Sequence, residues 1–210
     1  MQRARTLEAK DLRRQGLVTA ALDEFFERGF SAARMDDIAA RAGFSKGTLY
    51  LYFDSKEALF AAVVQTIAVP NLERLETAAA TAGGGLEAIS AIMRLAPAML
   101  RTSPVPKIAK VIISDAKVFP AIVTAYRKTV IERFLAVIAG VLKKAQTDGE
   151  IDIGDPYLTA RLVVAPIIFS AIWFVTFEHD EEAVVDLDAL FSLHEKMLIR
   201  ALTAQRESLS

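Results

Sequence analysis

Apolar residues recur every three or four positions along most of the chain, and no segment shows a convincing period-two alternation. Val18, Ala21, Leu22, Phe25 and Phe26 sit at i, i+3, i+4, i+7 and i+8, one face of a helix. Gly29 follows as its expected stop. The pattern predicts a second, short helix over Met35 to Ala42, with Ile38 and Ala39 facing inward and Gly43 ending it. Ser45 is placed to cap a third over Lys46 to Tyr52. Asp54 is placed to cap a fourth, with Glu57 completing a capping box.

From Lys56 onward the helical patterns lengthen. Pro70 is expected to end or kink the fourth helix, and Gly83, Gly84 and Gly85 form a flexible break. Glu87 to Leu100 reads as a helix interrupted at Pro97, followed by an extended connector, Ser103-Pro104-Val105-Pro106. Lys107 to Lys117 is a short helix, and Pro120 opens the next at its first turn. That one runs to about Thr147, with Lys143 and Lys144 near its negative end and Gly149 as the stop. Asp155-Pro156 starts a further helix, Glu178 to Glu182 is a charged break, and Asp186 caps the last helix. The expected fold is all-α with about nine helices, without an internal repeat.

Composition narrows the chemistry. The 210 residues are 53% hydrophobic and 24% charged, with a formal net charge of −1. A folded core is expected, and any nucleic-acid site must be a local patch. The first 14 residues supply one candidate: Arg3, Arg5, Lys10, Arg13 and Arg14 against Glu8 and Asp11. This basic arm reads first as a solvated tail and second as a contact to a DNA backbone. There are no cysteines, which excludes disulfides, cysteine zinc sites and a thiol nucleophile. No apolar leader opens the sequence. The longest uncharged stretch, Leu162 to Phe177, contains Pro166 and falls short of the roughly 20 residues of a spanning helix. A soluble, cytoplasmic protein with no membrane partner is expected.

Three short helices within the first third of the chain, with a glycine turn between the second and third, describe a helix-turn-helix. Gly43 can take the left-handed conformation that reverses the chain. Phe44 and Leu49 are placed to pack on Ile38 and the Phe25/Phe26 face. Ser45, Lys46, Gly47, Thr48, Tyr50 and Tyr52 are left on the open side. Small, hydroxylated or cationic residues suit a surface pressed onto phosphates and base edges.

The stretch LVTAALDEFFERGFSAARMDDIAARAGFSKGTLYLYFDSKEALFAAVV resembles the N-terminal domain of TetR-type transcriptional regulators. The resemblance rests on Ala21, Phe25, Gly29, Phe30, Ile38, Ala39, Gly43, Ser45, Gly47, Tyr50, Tyr52, Phe53, Lys56 and Leu59. Where that family often has Ser or Thr before the second helix, this chain has Arg34, which could reach a phosphate instead. The resemblance implies a homodimer on palindromic double-stranded operator DNA, with each third helix in a major groove. It implies a helix-turn-helix domain over 1–56 and a larger effector-binding and dimerisation domain over 57–210. The implied DNA-facing residues are Arg34, Ser45, Lys46, Gly47, Thr48, Tyr50, Tyr52 and Lys56, with Tyr52 and Lys56 on phosphates.

The C-terminal part resembles the family only in the number, length and order of its helices. Phe169, Trp173, Phe174 and Phe177 read mainly as core and dimer interface, with Trp173 and Phe177 the best candidates for an apolar effector pocket. Met93, Phe119 and Tyr126 are its next candidates, with Met99, Phe134 and Arg127 behind them. His194 lies on the stripe Leu187, Leu190, Phe191, Met197, Leu198, Ala201 and Leu202 and reads as a packed interface residue, whereas His179 sits in an acidic, solvated cluster. No phosphate-binding loop, catalytic triad or paired-carboxylate set stands out, so neither an enzyme nor a cofactor is expected. The expected function is a ligand-released repressor. The alternatives are an activator or a helical small-molecule binder without DNA-binding activity.

Overall fold

The computed structural model describes the backbone of residues 2–207 and the side chains of 8–203. Arg3 and Arg5 of the basic arm therefore lie outside the described side chains. Among the described residues the secondary structure is helical throughout. The α-helices are α1 (Gln2–Ala32), α2 (Met35–Arg41), α3 (Lys46–Tyr50), α4 (Lys56–Val63), α5 (Val69–Thr81), α6 (Gly85–Thr102), α7 (Val105–Ser114), α8 (Pro120–Tyr126), α9 (Glu132–Thr147), α10 (Pro156–Thr176) and α11 (Leu187–Glu207). Single π-turns at Val64–Ala68 and Arg127–Ile131 join α4 to α5 and α8 to α9 without a break, leaving nine separate helical runs.

The chain divides into two compact units, residues 1–70 with 107–126, and residues 71–106 with 127–210. The expected boundary after residue 56 falls inside the first unit. There α1 packs on α2 and α4, and α2 on α3. Phe25, Phe30, Ile38, Leu49, Leu59 and Phe60 form its centre, each at most 2% exposed. Phe30 stands edge-on to Phe60 and to Phe119 at centroid distances of 5.6 and 4.7 Å. The second unit is built from α6, α9, α10 and α11 around Ile89, Ile92, Ile138, Leu142, Val163 and Phe191.

Several helix ends follow local rules. Gly29 leaves helical geometry at φ 80°, ψ 156°, which breaks α1 where the stop was expected. Gly43 and Gly149, at φ 74° and 71°, end α2 and α9. In both, the glycine N–H returns to the carbonyl three residues back and the next N–H to the one five back, a paired closure that a left-handed residue permits. Asp155 accepts from the N–H groups of Tyr157 and Leu158 at 2.7 and 3.1 Å, and Asp186 from that of Ala189 at 3.0 Å.

Other ends differ from the reading above. Ser55, not Asp54, caps α4, accepting from Ala58 N–H at 3.1 Å. Pro70 does not end its helix: the π-turn just before it adjusts the backbone where proline supplies no N–H. Pro97 lies buried inside an unbroken α6, and Val105 and Pro106 form the first turn of α7 rather than a connector. The glycine triplet is a junction instead of a loose break. A Cβ on Gly85 would fall 2.3 Å from that of Ala145, and the Glu150 carboxylate caps α6 through Gly85 and Leu86 N–H at 3.0 and 2.8 Å.

At 21 residues and a mean hydropathy of 2.0 over its most apolar window, α10 is long and apolar enough to cross a membrane, contrary to the expectation from its uncharged stretch. Ala160, Val163, Val164 and Ala171 on it join the core with residues of α6 and α9. On α11, Leu187, Phe191 and Leu202 of the predicted stripe are buried in this core, and His194 Nε2 lies 3.2 Å from Val163 O. The exposed large apolar residues of α11 are Met197, which belongs to the stripe, and Leu193, which does not.

Candidate nucleic-acid interface

The helix-turn-helix is held from behind by charge as well as by its apolar centre. Arg41 of α2 places Nε 3.1 Å from Glu24 of α1 and pairs through both terminal nitrogens with Glu27. Glu24 is 1% exposed and also receives Arg28 Nε at 2.9 Å. A carboxylate so buried requires cationic partners, so this cluster ties α2 to α1. The hydrogen bond from Arg41, helped by its charge, holds the Glu27 carboxyl below the usual carboxylate range.

In front of this frame lies α3. Leu49 is fully buried and anchors it to the core, while Phe44 stacks beside Gly16 of α1. Ser45 caps the helix, accepting from Thr48 N–H at 3.2 Å, and the two hydroxyls lie 2.9 Å apart. Lys46 pairs with Asp36 of α2 at 2.9 Å, and its ammonium lies 6.0 Å from the Tyr50 ring centre. The hydrogen bond to Asp36 raises the Lys46 pKa, and the charge of Arg34 opposes it, which places Arg34 in the same patch. Arg34 precedes α2 in extended conformation without capping it, as its side-chain chemistry predicts.

Gly47 stands out within this surface. A Cβ there would meet nothing closer than Ser45 Oγ at 3.9 Å, and its φ is not in the left-handed region. The fold itself has room for a side chain at this position. Ser45, Lys46, Gly47 and Tyr50 are exposed, with Thr48 and Tyr52 half-buried. Family signatures cover this surface and much of the rest of the chain. The signature described as "Bacterial regulatory proteins, tetR family" matches residues 17–63, and that of the "AefR-like transcriptional repressor, C-terminal domain" matches residues 87–186.

The chain belongs to the TetR family. Among curated proteins, the HTH-type transcriptional activator FasR of Mycolicibacterium smegmatis is 52% identical over 56 residues. That stretch spans 27% of this chain and only 26% of FasR. Over nearly the whole chain, a putative TetR-family transcriptional regulator from Mesorhizobium loti shares the fold at a TM-score of 0.71 and 25% identity, covering 92% of this chain and 96% of that one. The regulator FadR from Bacillus subtilis, solved with stearoyl-CoA, has a TM-score of 0.71 at 20% identity over 88% and 97% of the two chains, a likeness of fold. Members of this family are regulators of transcription and not enzymes.

Lys56 sits differently from the phosphate contact expected of it. Its ammonium donates to Ser31 O and Ala33 O, both at 3.0 Å, and lies 4.8 Å from the centre of the Phe30 ring. Two of its three donors are thus spent on the carbonyl end of the turn that leads into α2. The opposite end of that turn is held by a residue the sequence reading did not single out. Asp115, the residue just after α7 and 9% exposed, accepts from Phe30 N–H at 2.8 Å and from Ser31 N–H at 3.3 Å. An aspartate at the end of an amphipathic helix gives no sequence signal for such a distant partner. Lys107 of the same helix pairs with Asp23 at 2.9 Å.

Two of the five effector-pocket candidates share a cavity. They are Trp173 and Phe177, with ring centres 4.6 Å apart, in a cavity of about 400 Å³ in the second unit. Phe169 and Phe174 line it too, so these aromatics are cavity wall more than core. Met93 is buried in the core of that unit and does not line the cavity. Phe119 and Tyr126 belong to the first unit. Phe119 packs on Phe30, and burial pushes the Tyr126 phenol up to about 12. The cavity lining that sequence reasoning missed is Val184, Val185, Leu187 and Leu190, whose apolar run Ala183-Val184-Val185 between acidic residues was the available signal.

Proposed function

We propose that this protein is a cytoplasmic repressor that binds palindromic operator DNA as a homodimer and leaves it when a small, largely apolar molecule binds. The reading is carried by α3, whose cap and buried Leu49 fix it to the frame while Ser45, Lys46, Gly47 and Tyr50 stay open. Residues 1–56 supply the DNA-binding module and 57–210 the effector and dimer functions. Lys46 and Thr48, in the first turn of α3, read base edges. Arg34, Ser45, Tyr50 and Tyr52 meet backbone or flanking groups, and Gly47 lets the helix backbone approach closely. Lys56 acts from behind, through the turn it clamps. The repressor role is supported by the description of the C-terminal signature.

Dimerisation is supported by apolar side chains with no use inside one chain. Leu158 and Leu162 on α10 are 63% and 73% exposed, and Leu193 and Met197 on α11 are 57% and 62% exposed. Two helices from each copy would close these faces in a four-helix interface about a two-fold axis. The effector favours a dimer whose two α3 helices no longer match successive major grooves, about 34 Å apart on B-DNA. It does so only to the extent that it binds that form more tightly.

Selection of bound fragments from random duplex DNA tests this reading. An inverted repeat is expected, with Lys46→Ala and Thr48→Val each altering the preferred half-site at a cost of about 1–3 kcal/mol for a lost base contact. Recovery of no common sequence would leave a small-molecule binder that does not use DNA and would overturn the proposal.

A further inference from the structure

Among the described residues, the most exposed large apolar side chain lies at the end of α3. Leu51 directly follows that helix and is 83% exposed, ahead of Val184 at 80%. Its backbone is still helical, at φ −70° and ψ −18°, and its N–H donates to Gly47 O at 3.2 Å. Residues four apart share a helix face, so Leu51 stands on the same side as Gly47, one turn farther along. Leu49, halfway between them, points the other way and is fully buried. Lys46 and Tyr50 form the adjoining row, with the Lys46 ammonium held by Asp36 at 2.9 Å.

A lone leucine on a protein surface needs no explanation. This one gains a meaning from the face it shares with Gly47. A bare glycine backbone lets the helix come close to a groove, and an isobutyl group one turn on then reaches the groove floor. At a phosphate it would contribute nothing specific, since it has neither a donor nor a charge. The apolar surfaces that fit a second copy of the chain lie on α10 and α11, in the other unit. At a base edge it meets its match. The C5-methyl of thymine is the apolar group that base pairs display in the major groove. We propose, on the DNA-binding reading above, that Leu51 is a specificity residue: it packs on the methyl group of one thymine in each operator half-site and thereby selects T·A at that position.

The test uses the full-length protein and duplexes of the selected operator in which one thymine at a time, in both half-sites, is replaced by deoxyuridine. That change deletes the methyl and keeps the hydrogen-bonding groups of the base. Burying one methyl is worth about fourfold in affinity, so the symmetric replacement should cost the wild type about fifteenfold at one position. At that position Leu51→Ala should bind the thymine and deoxyuridine duplexes alike, and both about as weakly as the wild type binds the deoxyuridine one. Leu51→Met, which keeps an apolar arm, should retain most of the preference for thymine. Because the side chain is exposed and alanine is a good helix former, Leu51→Ala should unfold at the wild-type urea midpoint. A clearly lower midpoint would mean that the side chain packs within the fold, against the proposal. Equal losses in wild type and Leu51→Ala at every replaced thymine would overturn it and leave the DNA-binding reading standing, as would deoxyuridine duplexes that all bind as tightly as the thymine one. If no operator is selected at all, the DNA-binding reading fails and the role of Leu51 fails with it.

Discussion

The short turn between Gly29 and Arg34 sets the direction in which α2 leaves α1, and Asp115 is the group on which it depends most. Beyond the break at Gly29, the N–H groups of Phe30 and Ser31 turn to the side chain of Asp115. Asp115 supplies both acceptors, one of them to a buried N–H, while Lys56 binds carbonyls at the other end. Anion at the amino end and cation at the carbonyl end both match the dipole of the turn. Asp115→Ala removes the acceptors of two N–H groups, and leaving a buried one unsatisfied costs about 1–3 kcal/mol. Adding the exposed partner gives about 2–4 kcal/mol for the variant. Asp115→Asn keeps one carbonyl oxygen and should lose about half of that. Urea unfolding followed by far-UV circular dichroism, at one protein concentration, should show the alanine variant's midpoint lower by about 1 M and the asparagine variant's between it and the wild type. A midpoint unchanged by Asp115→Ala, or an asparagine variant as weak as the alanine one, would refute the assignment.

Two further outcomes follow from the same contacts. Leu193→Glu with Met197→Glu places charges on the exposed apolar face of α11 and should shift sedimentation from dimer to monomer at micromolar concentration, with operator affinity falling alongside; a monomeric wild type would contradict the interface. The Tyr126 phenol titrates at about 12 in the folded chain against 10.0 for the free group, because burial disfavours its phenolate. Its contribution to stability is intact below pH 10 and declines as pH rises toward 12, since the unfolded chain ionises first. Tyr126→Phe should lessen the alkaline loss in that window, and identical pH profiles for the two proteins would count against the burial.

What was legible in the sequence was what local chemistry decides. Gly29, Gly43 and Gly149 stop or break helices because their φ values lie where only glycine sits easily. Ser45, Asp155 and Asp186 cap because each oxygen reaches an N–H two or three residues on. Proline misled the reading at Pro70 and Pro97: Pro70 follows a π-turn, and Pro97 is buried inside an unbroken α6. The open face of α3 was legible since Leu49 alone of that helix is apolar and inward. Lys56, Asp115 and the cavity were not, because each depends on which distant element lies opposite. Lys56 next to a DNA-facing helix invites a phosphate, and only the fold shows Ser31 O and Ala33 O beneath it. Similarly, Met93, Phe119 and Tyr126 carry the same apolar character as Trp173, and topology alone separates core from cavity.

The central claim, that the backbone of α3 is pressed against DNA, is tested most directly by the operator affinity of Gly47→Ala. The Cβ has room within the protein, its nearest neighbour being Ser45 Oγ at 3.9 Å, and alanine is the better helix former by about 1 kcal/mol. The variant should therefore fold at least as stably as the wild type. Its new methyl group would stand between the helix and the groove, and fluorescence anisotropy on the selected operator should show binding weakened about tenfold or more. Undiminished affinity in the Gly47→Ala protein would contradict the account.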